Sequence, residues 1–398
     1  MNIYTIGKDL SGKIRVRKPD LEPLQIEEVL LTDASFFKNK YGLEMSSVEH
    51  DLFHAHYTAW TDFKDSESEY CAIVEEGVQL NVRLDLVVSE IKAIKEDWDI
   101  LFPYDKVRTD QHRNPIGLSH FGFYWGYHFY IINKVGVSKL LNFQSIQQPL
   151  DEQILDAALK KQLTIYAGDS NWFSFDETAS ISYVSRHDSV ISYIQNYTVW
   201  EKRDKETALE ILKYIKEKAE EVKVEVGLHA GTLLGAIRHG KIMDWDDDID
   251  LIVCQDDVDA LLNGIREAGK FNITKWVWKK TGEPYYKIWD KNGKYVDGYE
   301  YAFPFVDIWT YKNSDGDIIT NDGYCFKSNE YLPFRNVDFE SSDFLCPQNS
   351  RVVLDTMYKG WDGSIKIFSW SHKVKQHINT KVSTQILTNT SGRLVKYL

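Results

Sequence analysis

An α/β chain of two domains is the architecture this sequence predicts, and three observations predict it. Its 398 residues exceed one ordinary core and suit two domains of roughly 150–200 residues each. Short strand-like runs alternate with helical stretches through the first half. The second half opens on an amphipathic helix and continues as strand, turn with helix, strand and helix. Hydrophobic residues at 43% and aromatics at 14% supply apolar surface for two cores, so every segment is expected to fold.

In the first half, VLLTD near residue 29 and CAIVEEGVQL at 71–80 read as strands and LVVSEIKAIKEDW at 86–98 as a helix, and HFYIINKVGVSKLL at 128–141 continues the alternation. His54 and His56 would share a strand face as metal ligands but diverge on a helix, which favours packing roles. The run FGFYWGYHFY at 121–130 could stack on sugar rings, although aromatic density this high favours a core. The linker is placed near 185–200. Beyond it, Leu209, Leu212, Ile215, Ala219 and Val222 recur at spacings of three and four, an amphipathic helix. Val224, Val226 and Leu228 alternate as in a half-buried strand. GTLLGAIRHG reads as a tight turn and short helix, DIDLIV at 248–253 as a strand, and DDVDALLNGIREAG as a helix capped by Asp256 or Asp257.

Charge and composition narrow the function classes. A formal net charge of −13 repels a phosphate backbone, so no nucleic-acid partner is expected. No apolar run approaches the roughly 18 residues that span a bilayer, and MNIYTIGKDLSGK lacks the apolar stretch of a signal peptide. A cytoplasmic location follows as an expectation, with membrane association at most peripheral. Cys71, Cys254, Cys325 and Cys346 lie far apart and read as structural thiols.

The chemistry concentrates in DWDDDIDLIV, five carboxylates between Asp244 and Asp250 ahead of an apolar run. A strand has period two, so Asp248 and Asp250 share one face while Ile249 and Leu251 point into the core. Two such carboxylates repel and lose hydration unless a cation neutralises them. Hard oxygen ligands suit Mg²⁺ or Mn²⁺. The plainer alternative is an acidic solvated loop or a calcium site without chemistry, against which the following LIV demands a buried strand. Asp307, in AFPFVDIWTY, would stand opposite the core-facing Val306 and Ile308 as a third carboxylate; alone it would read as a surface residue. Gly231 and Thr232 precede a short helix whose first amides make a site for phosphate oxygens. Arg238, on that helix, either pairs with phosphate or is a surface charge at its end.

These residues carry a resemblance. HAGTLLGAIRHGKIMDWDDDIDLIV resembles the signature of the LicD family, which includes the fukutin-related proteins and belongs to the DNA polymerase β-like nucleotidyltransferase superfamily. VDIW resembles the family's third acidic strand and PQNSRVVLDTMYKGW its closing segment, with Lys359 inserted between Tyr358 and Gly360 as a departure. The resemblance covers about 200–362 and implies an α+β domain that transfers a phosphorylated alcohol from a CDP-linked donor to a glycan or glycolipid acceptor. It further implies that Asp248, Asp250 and Asp307 bind the metal and act in catalysis, while Gly231, Thr232 and Arg238 hold the nucleotide phosphates. In that chemistry a sugar hydroxyl attacks the donor phosphorus in line and CMP leaves.

The first half, over about 29–156, resembles glycosyltransferase family 25, the lipopolysaccharide-type sugar transferases of GT-A fold, through SSVEHDLFHAHYTAWTDF, CAIVEEGVQL, GYHFYIINKVGVSKLL and QPLDEQIL. Glu49 and His56 match early motif positions and Asp151 and Glu152 the late Asp-Glu pair. The family's Glu-Asp-Asp is here Glu75, Glu76 and Gly77, which removes a metal ligand and implies a degenerate domain. The expected organisation is therefore a glycosyltransferase-like domain at 1–190, a LicD-like phosphotransferase at 200–362 and an extension at 363–398. Two other functions stay open: a bifunctional enzyme that also transfers a sugar, and a catalytically silent glycan-binding scaffold.

Overall fold

The computed structural model of the chain describes residues 1–26, 28, 30–103, 128–168, 170–176, 179, 181–379 and 382–398. It is a mixed α/β protein of two compact units, Met1–Gln195 with Thr380–Val382, and Asn196–Asn379 with Ser383–Leu398.

The first unit is built on strands β1 (Asn2–Lys8), β2 (Ile14–Arg17), β3 (Tyr70–Glu75), β4 (Ile100–Phe102), β5 (Phe129–Asn133) and β6 (Ile165–Ala167), in the order β2-β1-β3-β5-β4-β6. Its pairings are mixed, parallel for β1 with β3 and for β4 with β6. Helix α1 (Ser47–Asp65) begins with a capping box between Ser46 and Glu49. It buries Phe53, Trp60 and Phe63 against the sheet, in one core with Ile73 and Tyr130. Of VLLTD, only Leu31–Thr32 form a strand, and Val29 lies outside the described residues. Residues 121–127 of the aromatic run also lie outside them, while His128, Phe129 and Tyr130 are buried. The division between the units, at Gln195 and Asn196, falls within the 185–200 stretch expected to join them, and helix α2 (Ile181–Asn196), which buries Val190 and Ile194, leads up to it.

In the second unit, α3 (Lys202–Val222) buries Ala208, Ile211, Leu212, Ile215 and Ala219. β7 (Val226–Leu228), α4 (Ala230–Arg238), β8 (Ile249–Cys254) and α5 (Val258–Ala268) follow in the expected order. Asp257 occupies the N-cap of α5 but makes no side-chain capping bond. Strands β9 (Asn272–Val277), β10 (Pro284–Tyr295), β11 (Ala302–Ser314), β12 (Asp317–Thr320), β13 (Cys325–Lys327), β14 (Arg335–Phe339) and β15 (Ser342–Cys346) complete a nine-stranded sheet. Its main path is β9-β10-β11-β8-β7-β15-β14, with β12 and β13 added beside β11. The central strand β11 is buried on both faces from Ala302 to Tyr311, so Asp307, expected opposite the core, is enclosed as well. Apart from Thr380–Val382, the segment expected to be an extension belongs to this unit: Ser364–Ile367, Val382–Thr388 and Leu394–Tyr397 form a three-stranded sheet, and Trp370–Ser371 pairs with Gln376–His377.

Candidate active site

Register assembles the acidic site. β8 and β11 run parallel, with Asp250 directly opposite Asp307, so both carboxylates leave the same face of the sheet. Asp248 lies two residues before Asp250 and shares that face. Oxygens of Asp248, Asp250 and Asp307 lie within 4.8 Å of one another. Burial raises the pKa of Asp250 well above the usual carboxylate range, and the charges of Asp248 and Asp307 raise it further. Asp307 is raised too, first by burial and then by Asp248, against the lowering effect of Lys287. A site that resists ionisation in this way is one a cation would relieve.

Three further groups steady the acids. Trp309, two residues along β11, donates its indole N–H to Asp250 Oδ1 at 2.8 Å. Lys287, paired with Asp307 across β10 and β11, places Nζ 2.8 Å from both carboxylate oxygens. His372 joins Asp247 through Nδ1 at 2.7 Å and its backbone amide at 2.8 Å, with Nε2 3.4 Å from Asp248. Burial disfavours its charge, but Asp248 and Asp247 outweigh that effect and raise its pKa. Sequence reasoning missed Lys287, whose signal was a lysine inside the apolar run YYKIW. It also missed His372, for which no motif gave a signal.

Of the residues expected to hold phosphates, Gly231 and Arg238 line the cleft and Thr232 is buried. Gly231 lines the acidic cleft, and a β-carbon there would collide with the Asp246 carboxylate. Its missing side chain makes room for an acid. Asp246 itself is pushed well above the ordinary carboxylate pKa by burial and by Asp248. Thr232 is buried, and its hydroxyl accepts the backbone N–H of Asp250 at 2.8 Å, so it acts on the acid rather than facing the cleft. The first turn of α4 is further tied to β8 by the His229 amide, which donates to the Asp250 carbonyl at 3.0 Å.

Arg238 departs most from expectation. It is 4% exposed and is no surface charge. Nη1 donates to the carbonyls of Trp361 at 2.8 Å and Ser364 at 3.2 Å, and Nε to His239 at 2.9 Å. Burial lowers its pKa to about 10 and that of His239 to about 3, which keeps His239 neutral as the acceptor. A carbonyl-bound guanidinium anchors the closing segment and has few donors left for phosphate. The cleft has a volume of about 560 Å³, within the range of small-molecule sites. Asp246, Asp248 and Asp250 line it together with residues between Tyr358 and His372.

In the first unit four of the acids carried by the motif resemblance are held by buried partners, while Glu76 is exposed and accepts the Lys8 amide at 3.1 Å. Arg186 binds Glu49 at 2.7 Å, Asp151 at 3.0 Å and Glu152 at 3.5 Å. Glu75 is held between His56 at 2.9 Å and His128 at 3.1 Å. His56, on a helix, also bonds Tyr130 at 2.8 Å, a packing role. Gly77 turns the chain at φ +93°, and a β-carbon there would lie 2.7 Å from the Asp176 carbonyl oxygen.

Comparison with known proteins follows the acidic strands. The family model described as LicD/FKTN/FKRP, nucleotidyltransferase domain, matches residues 223–349. The lipopolysaccharide cholinephosphotransferase LicD of Haemophilus influenzae is 32% identical over 108 residues, 26% of this chain and 41% of that relative. The chain thus spans about two fifths of that relative's length. The crystal structure of ANT(2")-Ia in complex with adenylyl-2"-tobramycin is similar at a TM-score of 0.26 and 14% identity, over 38% of this chain and 75% of that one, too slight a likeness to carry an inference. The paired acids of β8 and β11, the turn at Gly231 and the family match coincide, and residues 223–349 of this chain form a nucleotidyltransferase domain of the LicD family.

Proposed function

We propose that this chain transfers a phosphorylated alcohol, phosphocholine-like or a polyol phosphate, from a CDP-linked donor to a glycan. The observation that carries the reading is the in-register triad of Asp248, Asp250 and Asp307. Its all-oxygen donor set fits Mg²⁺ or Mn²⁺, and the raised pKa values of Asp250 and Asp307 fit acids awaiting a cation. When bound, the cation would offset the charge of the carboxylates and of the donor phosphates. Trp309 and Thr232 fix the direction of Asp250, and Lys287 fixes that of Asp307. The glycan hydroxyl oxygen bonds to phosphorus, the bond from phosphorus to CMP breaks, and one of the carboxylates takes the hydroxyl proton. The H. influenzae relative's name supports the cholinephosphate class and a lipopolysaccharide-type acceptor. Among the described residues no helix is long and apolar enough to cross a membrane, which fits an acceptor met at a membrane surface or free of it.

The first unit is read as a degenerate sugar-transferase-like domain, because Gly77 replaces one motif acid and Glu49, Asp151 and Glu75 are held by Arg186, His56 and His128, which leaves only Glu76 exposed. Mass spectrometry of glycan acceptors incubated with the full chain, Mg²⁺ and a panel of CDP-alcohols tests the proposal. The expected product gains one alcohol phosphate, with CMP released. Thermal stabilisation by UDP as well as CDP would favour the bifunctional alternative, and stabilisation by neither would favour the silent scaffold.

A further inference from the structure

Much of the cleft's lining, from Tyr358 to His372, lies beyond residues 223–349, and no residue of it was expected to act. Along residues 364–371, Ile365, Ile367, Ser369 and Ser371 are buried while Lys366, Phe368 and Trp370 are exposed. These three exposed side chains all line the cleft that holds Asp248 and Asp250. The segment is fastened at both ends. Ser369 Oγ donates to the Trp245 carbonyl at 2.8 Å and the His372 amide to Asp247 at 2.8 Å, while Arg238 holds the carbonyls of Trp361 and Ser364.

Trp370 stands two residues before His372, whose Nε2 lies 3.4 Å from Asp248, and Lys366 stands further from the acids along the chain. Phe368 is 49% and Trp370 43% exposed, two aromatic faces left in water within a cleft. The His377 ring stiffens both, stacked on Phe368 at 3.6 Å and edge-on to Trp370 at 5.2 Å. Lys366 has no carboxylate partner among the described residues. Sugar rings offer apolar C–H faces to aromatic side chains and keep their hydroxyls in water, and an unpaired ammonium at the far end complements an anion.

We infer that Lys366, Phe368 and Trp370 form the acceptor subsite, which takes an oligosaccharide bearing a phosphate or carboxylate some sugar units away from the reacting hydroxyl. The inference rests on the phosphotransfer reading, since it assigns the acid end to the donor phosphates and leaves the open row to the acceptor.

Calorimetric titration of the full chain with delipidated core oligosaccharide of rough-type lipopolysaccharide, native and dephosphorylated, tests it. Trp370→Ala and Phe368→Ala are each expected to weaken both forms at least about ten-fold, while Trp370→Phe retains most of the affinity. Lys366→Gln should erase only the preference for the phosphorylated form. CDP with Mg²⁺, titrated separately, should bind all these variants as it binds the wild type. The assignment falls if the wild type binds neither oligosaccharide, if the variants bind like the wild type, or if they lose CDP instead, which would give the row to the donor base. A wild type that binds the oligosaccharide but ignores CDP with Mg²⁺ would leave a glycan site standing and remove the phosphotransfer reading.

Discussion

Thr232 shows how one hydroxyl can serve a site without facing it. By accepting the Asp250 amide it fixes the backbone from which a candidate ligand projects. Thr232→Val should therefore cost about 1–3 kcal/mol of stability by stranding a buried N–H, and should lower kcat for CDP-donor turnover more than it raises the donor KM. A change confined to KM would return the hydroxyl to the phosphate. In the first unit, burial works to raise the Glu75 pKa, but its hydrogen bonds to His128 and His56 prevail and hold it well below the usual range. An acid depressed in the folded state stabilises above its unfolded pKa, about 4.3, and loses that contribution as pH falls through the folded value. Glu75→Gln should cost about 1–3 kcal/mol near neutral pH by replacing a buried charged acceptor of two hydrogen bonds. Its deficit against the wild type should shrink below about pH 4 in thermal or urea melts. A gap that stayed constant with pH would mean that Glu75 contributes packing alone.

Between elements, pairing decides which charges meet. β10 presents Lys287 to Asp307 across an antiparallel ladder, so the same carboxylate that faces Asp250 on one side is neutralised from the other. Lys287→Met should destabilise the cation-free protein by about 3–5 kcal/mol, because Asp307 is left buried and uncompensated. Saturating Mg²⁺ should restore much of that loss. Equal losses in Mg²⁺ and in chelator would show that no cation reaches Asp307. This also explains what the sequence could reveal. Asp248, Asp250 and Asp307 were legible because each sits in or beside an apolar run whose period fixes its face, and α3, α4, β8 and α5 were legible from their apolar spacing. Lys287 was not, since its partner depends on register along a strand that carries an irregularity between Trp289 and Lys294. The anchoring role of Arg238 was not legible, because its partners are carbonyls of Trp361 and Ser364, which no side-chain pattern advertises. Helix α2 was hidden because polar serines and tyrosines dilute its apolar stripe.

At the scale of the whole chain, each unit carries acids, and what surrounds them differs. Most of the first unit's motif acids are held by Arg186 and two histidines; those of the second line an open cleft. Restoring the missing acid as Gly77→Asp should not create Mn²⁺-dependent hydrolysis of UDP-sugars by the full chain. It should also lower stability, because an aspartate would have to hold φ +93° with its β-carbon 2.7 Å from a carbonyl oxygen. UDP-sugar turnover by the wild type above a Glu75→Ala, Glu76→Ala control would overturn that reading. Arg238 and Asp247 meet their partners across 123 to 126 residues of sequence. During synthesis the guanidinium and the acidic loop leave the ribosome long before the segment that clasps them, and until it arrives water must solvate both. The cleft is thus among the last features of its unit to be completed, and its lining is closed by slow, non-local contacts rather than by the nucleating strands.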